Sequence, residues 1–171
     1  MRITVTGPRR VGKTTAAVLL AQQLGLTYVS GDEVMDQLLQ PYGGLDRVLK
    51  DGRTDIINKN IIPRCEKALK KDDVVVDLPG SSLVVEERRI GEKVRRFIKK
   101  KSTVIGLLPS ISDQDSVNLL TEREQEQHSP SFLSDPNLYH RIRRDYLAVK
   151  GALKRTTDHI IYTAVLSPSD I

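Results

Sequence analysis

The sequence predicts an α/β protein: a three-layer α/β/α sandwich around a mostly parallel sheet of about five strands, with one long polar loop. Three observations lead there. Short apolar runs alternate with helical patterns along the chain, as in a βαβ protein whose sheet is buried on both faces. A glycine-framed turn, Gly7-Pro8-Arg9-Arg10-Val11-Gly12-Lys13-Thr14, joins the first apolar run to the first helical pattern. Two later runs lead into carboxylates, at Asp32 and Asp77.

Taken in order, strands are expected near 2–6, 27–29, 73–77, 103–108 and 158–162, each a short apolar run. Between the first two, Ala17, Leu20, Ala21 and Leu24 recur at helical spacing, and Gly25 stands where a helix C-terminus favours it. A short helix with Val34, Leu38 and Leu39 follows the second strand. Ile57, Ile61, Cys65 and Leu69 form the next stripe, which Pro63 is expected to kink or restart. Ile90, Val94, Phe97 and Ile98 mark a further helix, whose other face carries Lys93, Arg95, Arg96 and Lys99 to Lys101. A charge run of that kind reads first as a solvated face. Leu138, Ile142, Tyr146, Val149 and Leu153 give a long C-terminal helix before the last strand. Two stretches read as loops: Pro41-Tyr42-Gly43-Gly44, and Gln125 to Asn137, which is long, polar and without a core face.

Composition bounds the functions open to this chain. Its 171 residues suit one domain spanning 1–171. No apolar stretch approaches the roughly 20 residues needed to cross a bilayer, and the N-terminus lacks an apolar signal core, so a cytoplasmic protein is expected. A lone Cys65 argues against a disulfide or zinc framework. There are 27 Lys+Arg against 22 Asp+Glu, a net charge of +5, with 4% aromatic residues. An anionic small molecule accounts for that excess, and nucleic acid is not indicated; a monomer or weak homodimer is expected.

The turn at 7–14 matches G-x-x-x-x-G-K-[ST] at every fixed position and lies between a strand and a helix, the context a P-loop requires. Backbone N–H groups from Gly7 through Pro8, Arg9, Arg10, Val11, Gly12, Lys13, Thr14 and Thr15, with proline contributing only its turn, would surround the phosphates of ATP at a helix N-terminus. Lys13 supplies a full positive charge, and the Thr14 hydroxyl is a hard oxygen ligand for Mg²⁺. Asp77, ending the apolar strand Val74-Val75-Val76, is placed to hold the same ion. Asp77-Leu78-Pro79-Gly80 also resembles the D-x-x-G turn of GTPases, but no Asn-Lys-x-Asp is present to read guanine.

In doubly wound sheets ligands gather beyond the carboxyl ends of the strands. Asp32, in Ser30-Gly31-Asp32-Glu33 after the second strand, is there the candidate to position or deprotonate an acceptor hydroxyl. The same residue, or Ser30, suits a helix N-cap. Arg141 and Arg144 lie off the apolar stripe of the last helix and are candidates to grip an acceptor's carboxylate or phosphate, as are Arg53 and Arg64. The alternative for each is an ordinary surface ion pair, such as Arg141 with Asp145.

With these residues in place, the chain resembles the P-loop small-molecule and nucleotide kinases, and among them the shikimate kinase group. The resemblance spans nearly the whole length. It rests on the turn at 7–14, Tyr28 to Asp32, Arg64-Cys65-Glu66, the Gly80 turn, Thr121-Glu122-Arg123, and the Tyr146 helix followed by Thr157-Asp158-His159-Ile160-Ile161. It implies a lid over about 123–137 with Arg123 near the phosphates, and Gly80 against the acceptor. This chain has Leu78-Pro79-Gly80-Ser81-Ser82 where the family has three glycines, Ser129-Pro130 where it has Arg-Pro, and Ser30-Gly31-Asp32 where it has two aspartates. Dephospho-coenzyme A, adenylate and cytidylate kinases share the turn, the acidic residue and the lid.

The function expected is therefore ATP-dependent transfer of the γ-phosphoryl group to a small, anionic molecule, with Lys13, Asp32 and Arg123 as catalytic residues. A nucleotide-dependent switch or regulatory ATPase without an acceptor is the alternative. A nucleic-acid-associated ATPase, suggested by the basic helix at 93–101, is a weaker third.

Overall fold

The apolar runs become the five strands of one parallel sheet in a computed structural model of the chain, which describes residues 1–85, 87–126 and 137–164. These strands are β1 Arg2–Gly7, β2 Thr27–Ser30, β3 Val74–Pro79, β4 Thr103–Leu108 and β5 His159–Tyr162, in the spatial order β2-β3-β1-β4-β5. All four pairings are parallel. Residues of β1 and β3 are buried on both faces, so Val74, Val75 and Val76 form a continuous apolar run, while β1 buries the small polar Thr4 and Thr6 between Ile3 and Val5.

Helices flank the sheet in three layers: α1 Lys13–Leu24, α2 Gly31–Leu39, α3 Leu45–Lys50, α4 Thr54–Ala68, α5 Arg88–Lys101, α6 Asp113–Glu126 and α7 Leu138–Thr156. In α1 the buried face is Ala16, Ala17 and Ala21, while Leu24 is largely exposed. Small side chains let this helix lie close to β1 and β3. Gly25 ends it in the left-handed conformation, as its position suggested.

Two expectations are corrected. Pro63 does not restart its helix: α4 is continuous through it, with Ile61, Cys65 and Ala68 buried on one face. The expected loop beginning at 123 starts later, since α6 is helical through Glu126; residues 127–136 lie outside the described residues. Among the described residues no helix is long and apolar enough to cross a membrane.

The carboxyl ends of the central strands come very close together at Gly80, the first residue of a short 3-10 turn, Gly80–Leu83. A Cβ at Gly80 would stand 2.5 Å from the Gly7 carbonyl oxygen and 2.7 Å from Val149 on α7. Only a residue without a side chain lets β3, the end of β1 and α7 meet. Gly80→Ala is therefore expected to destabilise the fold by about 2 kcal/mol or more in urea unfolding, since the backbone it meets cannot rotate away. Gly151→Ala on α7, where the nearest atom would be 3.8 Å away, serves as the control and should be neutral or stabilising.

Candidate active site

The turn between β1 and α1 reverses its backbone hand twice. Arg10 (φ 66°) and Gly12 (φ 96°) are left-handed, a pattern that makes a nest of inward N–H groups for an anion. Glycine takes that conformation freely, whereas for Arg10 it costs about 1–2 kcal/mol. Two neighbouring residues of α6 hold Arg10 there. Arg123 Nη1 donates to the Arg10 carbonyl at 3.0 Å, and Arg10 Nε donates to Glu124 Oε2 at 2.7 Å. Arg9 Nε reaches the same carboxylate oxygen at 3.2 Å. Glu124 is 6% exposed, a buried acid on two cations of the phosphate turn. Val11 is buried beneath the turn, and Lys13 Nζ folds back to the Pro8 carbonyl at 3.0 Å. Thr15 is exposed in the first turn of α1.

Beside this turn lies Asp77, brought in by the pairing of Val5 with Asp77 between β1 and β3. Thr14 Oγ1 donates to Asp77 Oδ2 at 2.6 Å, while Oδ1 is buried with no hydrogen-bond partner among the described residues. Burial holds the Asp77 pKa above the ordinary 3.8, against the Thr14 hydrogen bond and the charge of Lys13; Asp32 adds to the rise. Burial likewise lowers the Lys13 pKa, opposed by Asp77 and Asp32. A hydroxyl and an orphaned carboxylate oxygen side by side suit Mg²⁺, which takes one or two protein oxygens and completes its shell with phosphate and water. No group of three or more His, Cys, Asp or Glu able to hold a metal occurs among the described residues, so any such ion would depend on those outside ligands.

Asp32 sits in the first turn of α2, and the capping and acceptor roles separate here. Ser30 is the N-cap, its Oγ accepting from the Glu33 N–H at 3.2 Å, which leaves the Asp32 side chain 67% exposed. Asp32 Oδ1 lies 3.8 Å from Arg64 Nη1 on α4. Arg64 is 5% exposed, hydrogen-bonded through Nη2 to Ser82 Oγ, and its Nε is buried without a partner among the described residues. Burial lowers its pKa, although an arginine stays charged. A buried guanidinium beside an exposed carboxylate, next to the phosphate turn, can orient a second anionic molecule. Tyr28 also belongs here: burial raises the pKa of its hydroxyl above 10.0, with the charge of Asp77 adding to it.

The remaining candidates lie further out. Arg53 caps α4 and stacks over the Tyr42 ring at 5.8 Å, about 16 Å along the helix axis from Arg64. Arg141 and Arg144 line a cavity of about 490 Å³ with Asn137 and His140, at the start of α7. Arg144 donates to Asp145 at 3.0 Å, an ordinary surface ion pair. Gly80 serves the close approach of β3 to the phosphate turn. Arg123 is on a helix and grips the Arg10 carbonyl, rather than standing in a loop.

Sequence reading missed Glu124, Tyr28 and Ser82 as site residues. Glu124 stands 114 residues from its partner Arg10, and no local spacing announces such a pair.

Two outcomes follow from this geometry. A raised carboxylate pKa stabilises the fold below pH 3.8 and loses that contribution as pH rises through the folded value. Asp77→Asn keeps the Thr14 contact without that loss, so its thermal midpoint should exceed the parent's by a margin that opens as pH rises above about 4, while Mg²⁺-dependent nucleotide binding falls. Glu124→Gln should weaken nucleotide binding about tenfold by loosening Arg10, with about 1 kcal/mol lost in unfolding; unchanged affinity in isothermal titration would show that the pair does not shape the turn.

No protein-family model matches the chain, and no curated protein matches it. Among solved structures it is similar to shikimate kinase from Acinetobacter baumannii in complex with shikimate, at 17% identity and a TM-score of 0.78, over 99% of this chain and 87% of that one. Shikimate kinase from Aquifex aeolicus matches at 17% identity and a TM-score of 0.75, over 100% and 91%. The YorR protein from Bacillus subtilis, in complex with phosphorylated GDP, matches at 14% and 0.62, over 99% and 90%. Likeness at such identities is a likeness of fold. The chain thus has the shikimate kinase-like P-loop kinase fold.

Proposed function

We propose that the protein is an ATP-dependent kinase, a single catalytic domain that transfers the γ-phosphoryl group to a hydroxyl or phosphate oxygen of a small anionic acceptor. The observation that carries this reading is the Asp32–Arg64 pair at 3.8 Å, near enough to the phosphate turn that the Asp32 charge acts on both Lys13 and Asp77. A switch ATPase needs the turn and a water; it has no use for a buried guanidinium with an orphaned donor beside the carboxylate.

In this mechanism the N–H groups from Gly7 to Thr14 hold the phosphates and Lys13 meets the charge on the leaving β-phosphate side. Mg²⁺, on Thr14 Oγ1 and Asp77 Oδ1, would supply further charge neutralisation. Arg64 grips the acceptor's anionic group, and Asp32 turns its hydroxyl toward the γ-phosphorus. The acceptor oxygen bonds to that phosphorus, the bond to the β-phosphate oxygen breaks, ADP leaves, and the hydroxyl proton passes to Asp32. The lid expected over about 123–137 falls mostly on residues outside those described.

The test is MgATP consumption across shikimate, dephospho-coenzyme A, nucleoside monophosphates and gluconate, with a no-acceptor control. Stimulation by one compound is expected; equal turnover in every well would favour the switch reading. Lys13→Ala should abolish stimulated turnover with folding intact. Asp32→Asn should lower kcat about 10²–10⁴-fold with the KM for ATP within about threefold, and an equal change in both would assign Asp32 to structure alone.

A further inference from the structure

The positive charge of this protein is concentrated on one helix. Residues 88–101 hold eight Lys or Arg and one acid, a net +7, whereas the whole chain is +5, so all other residues together carry a net −2. The apolar side of α5 is fully used: Val94 and Ile98 are 0% exposed against the core. Its outer side is exposed and basic. Arg89, Lys93, Arg96 and Lys100 follow one another at spacings of four, three and four along about 16 Å of helix. Beside that stripe, Arg95, Arg96 and Lys99 of α5 and Arg155 of α7 line a groove of about 280 Å³ with Glu92. Arg95 also donates to the Leu83 carbonyl, anchoring the inner wall.

This surface is separate from the phosphate turn. Both α5 and α7 run from the carboxyl edge of the sheet to its amino edge, so Lys99, Lys100 and Arg155 in their last turns lie at the opposite end from Lys13. A six-residue strand puts the two ends about 20 Å apart.

We infer that the outer face of α5, with Arg155, is a docking surface for the phosphate backbone of double-stranded DNA. Regularly spaced cations along a straight helix meet regularly spaced phosphates, and binding is driven by release of counterions. The make-up of the face favours the duplex over other polyanions. A membrane surface would take an exposed apolar side, which α5 has buried. Single strands are held by exposed aromatic platforms, and the one aromatic on α5, Phe97, packs against the core. Duplex RNA, bound by shape with 2′-hydroxyl and phosphate contacts together, is told apart by the test below. The inference stands apart from phosphoryl transfer and does not depend on it.

Fluorescence anisotropy of a labelled 20-base-pair DNA duplex, titrated with the full chain at several salt concentrations, tests it. With Arg89, Lys93, Arg96, Lys99, Lys100 and Arg155 each meeting a phosphate, log K should fall with log salt at a slope of about −5, roughly a thousand-fold between 50 and 200 mM. The triple variant R96Q/K99Q/R155Q should bring the slope to about −3, with an unchanged thermal midpoint. An unchanged slope in that variant, a parent slope shallower than about −2, or equal binding to duplex RNA, single-stranded DNA or phosphatidylserine vesicles would overturn it. So would loss of DNA binding in Lys13→Ala, which would move the phosphates to the nucleotide turn.

Discussion

The parallel pairing of β1 with β3 is the constraint on which the rest of the site depends. Its register sets Val5 beside Asp77 and Gly7 beside Pro79, so the glycine-framed turn and the buried Asp77 carboxylate leave the sheet side by side. A slip of one residue would turn Asp77 to the other face and remove the Thr14 contact. The pairing of β2 with β3 extends the row: Ser30 stands beside Asp77, and α2 begins at the next residue, carrying Asp32. The Asp77, Ser30 and Asp32 side chains are thus ordered by backbone hydrogen bonds before any side chain meets another.

That edge carries most of what the fold leaves unsatisfied. The buried side-chain polar atoms without partners among the described residues are Thr6 Oγ1, Arg64 Nε and Asp77 Oδ1, two of them on groups assigned to ligands. Stability is spent where binding is to be gained, as functional sites commonly do. Elsewhere polar groups are paired: Tyr146 Oη donates to Asp113 at 2.8 Å and ties α7 to α6, and Val104 N–H donates to Asp158 at 2.8 Å.

The strands and the phosphate turn could be read from the residues because each has a local cause. Valine runs make buried parallel strands, and G-x-x-x-x-G-K-T encodes its own geometry. Helix α6 escaped notice because Asp113 to Glu126 contains only Val117 and Leu120 as buried apolar residues, too few to show a period. Helix α3 is six residues long with Val48 alone buried. The helix continues through Pro63 because the buried face of Ile61, Cys65 and Ala68 outweighs proline's local penalty. In the sequence Arg64 ranked only alongside Arg53 as a candidate cation. Only packing, which buries it against Ser82 and Asp32, separates it from Arg53.

The strand order also governs how the chain comes together. Every pairing among the described residues is parallel, so these five strands form no hairpin and none pairs with its neighbour in sequence through a short turn. Ile3 in β1 pairs with Val75 and Thr103, so a chain made from its N-terminus must complete about 75 residues before β1 gains one partner and over 100 before it gains the second. Until then the first strand has only α1 to cover it. The alanine face of that helix, small enough to lie flat on β1, is well suited to shelter a waiting strand during a slow, long-range assembly.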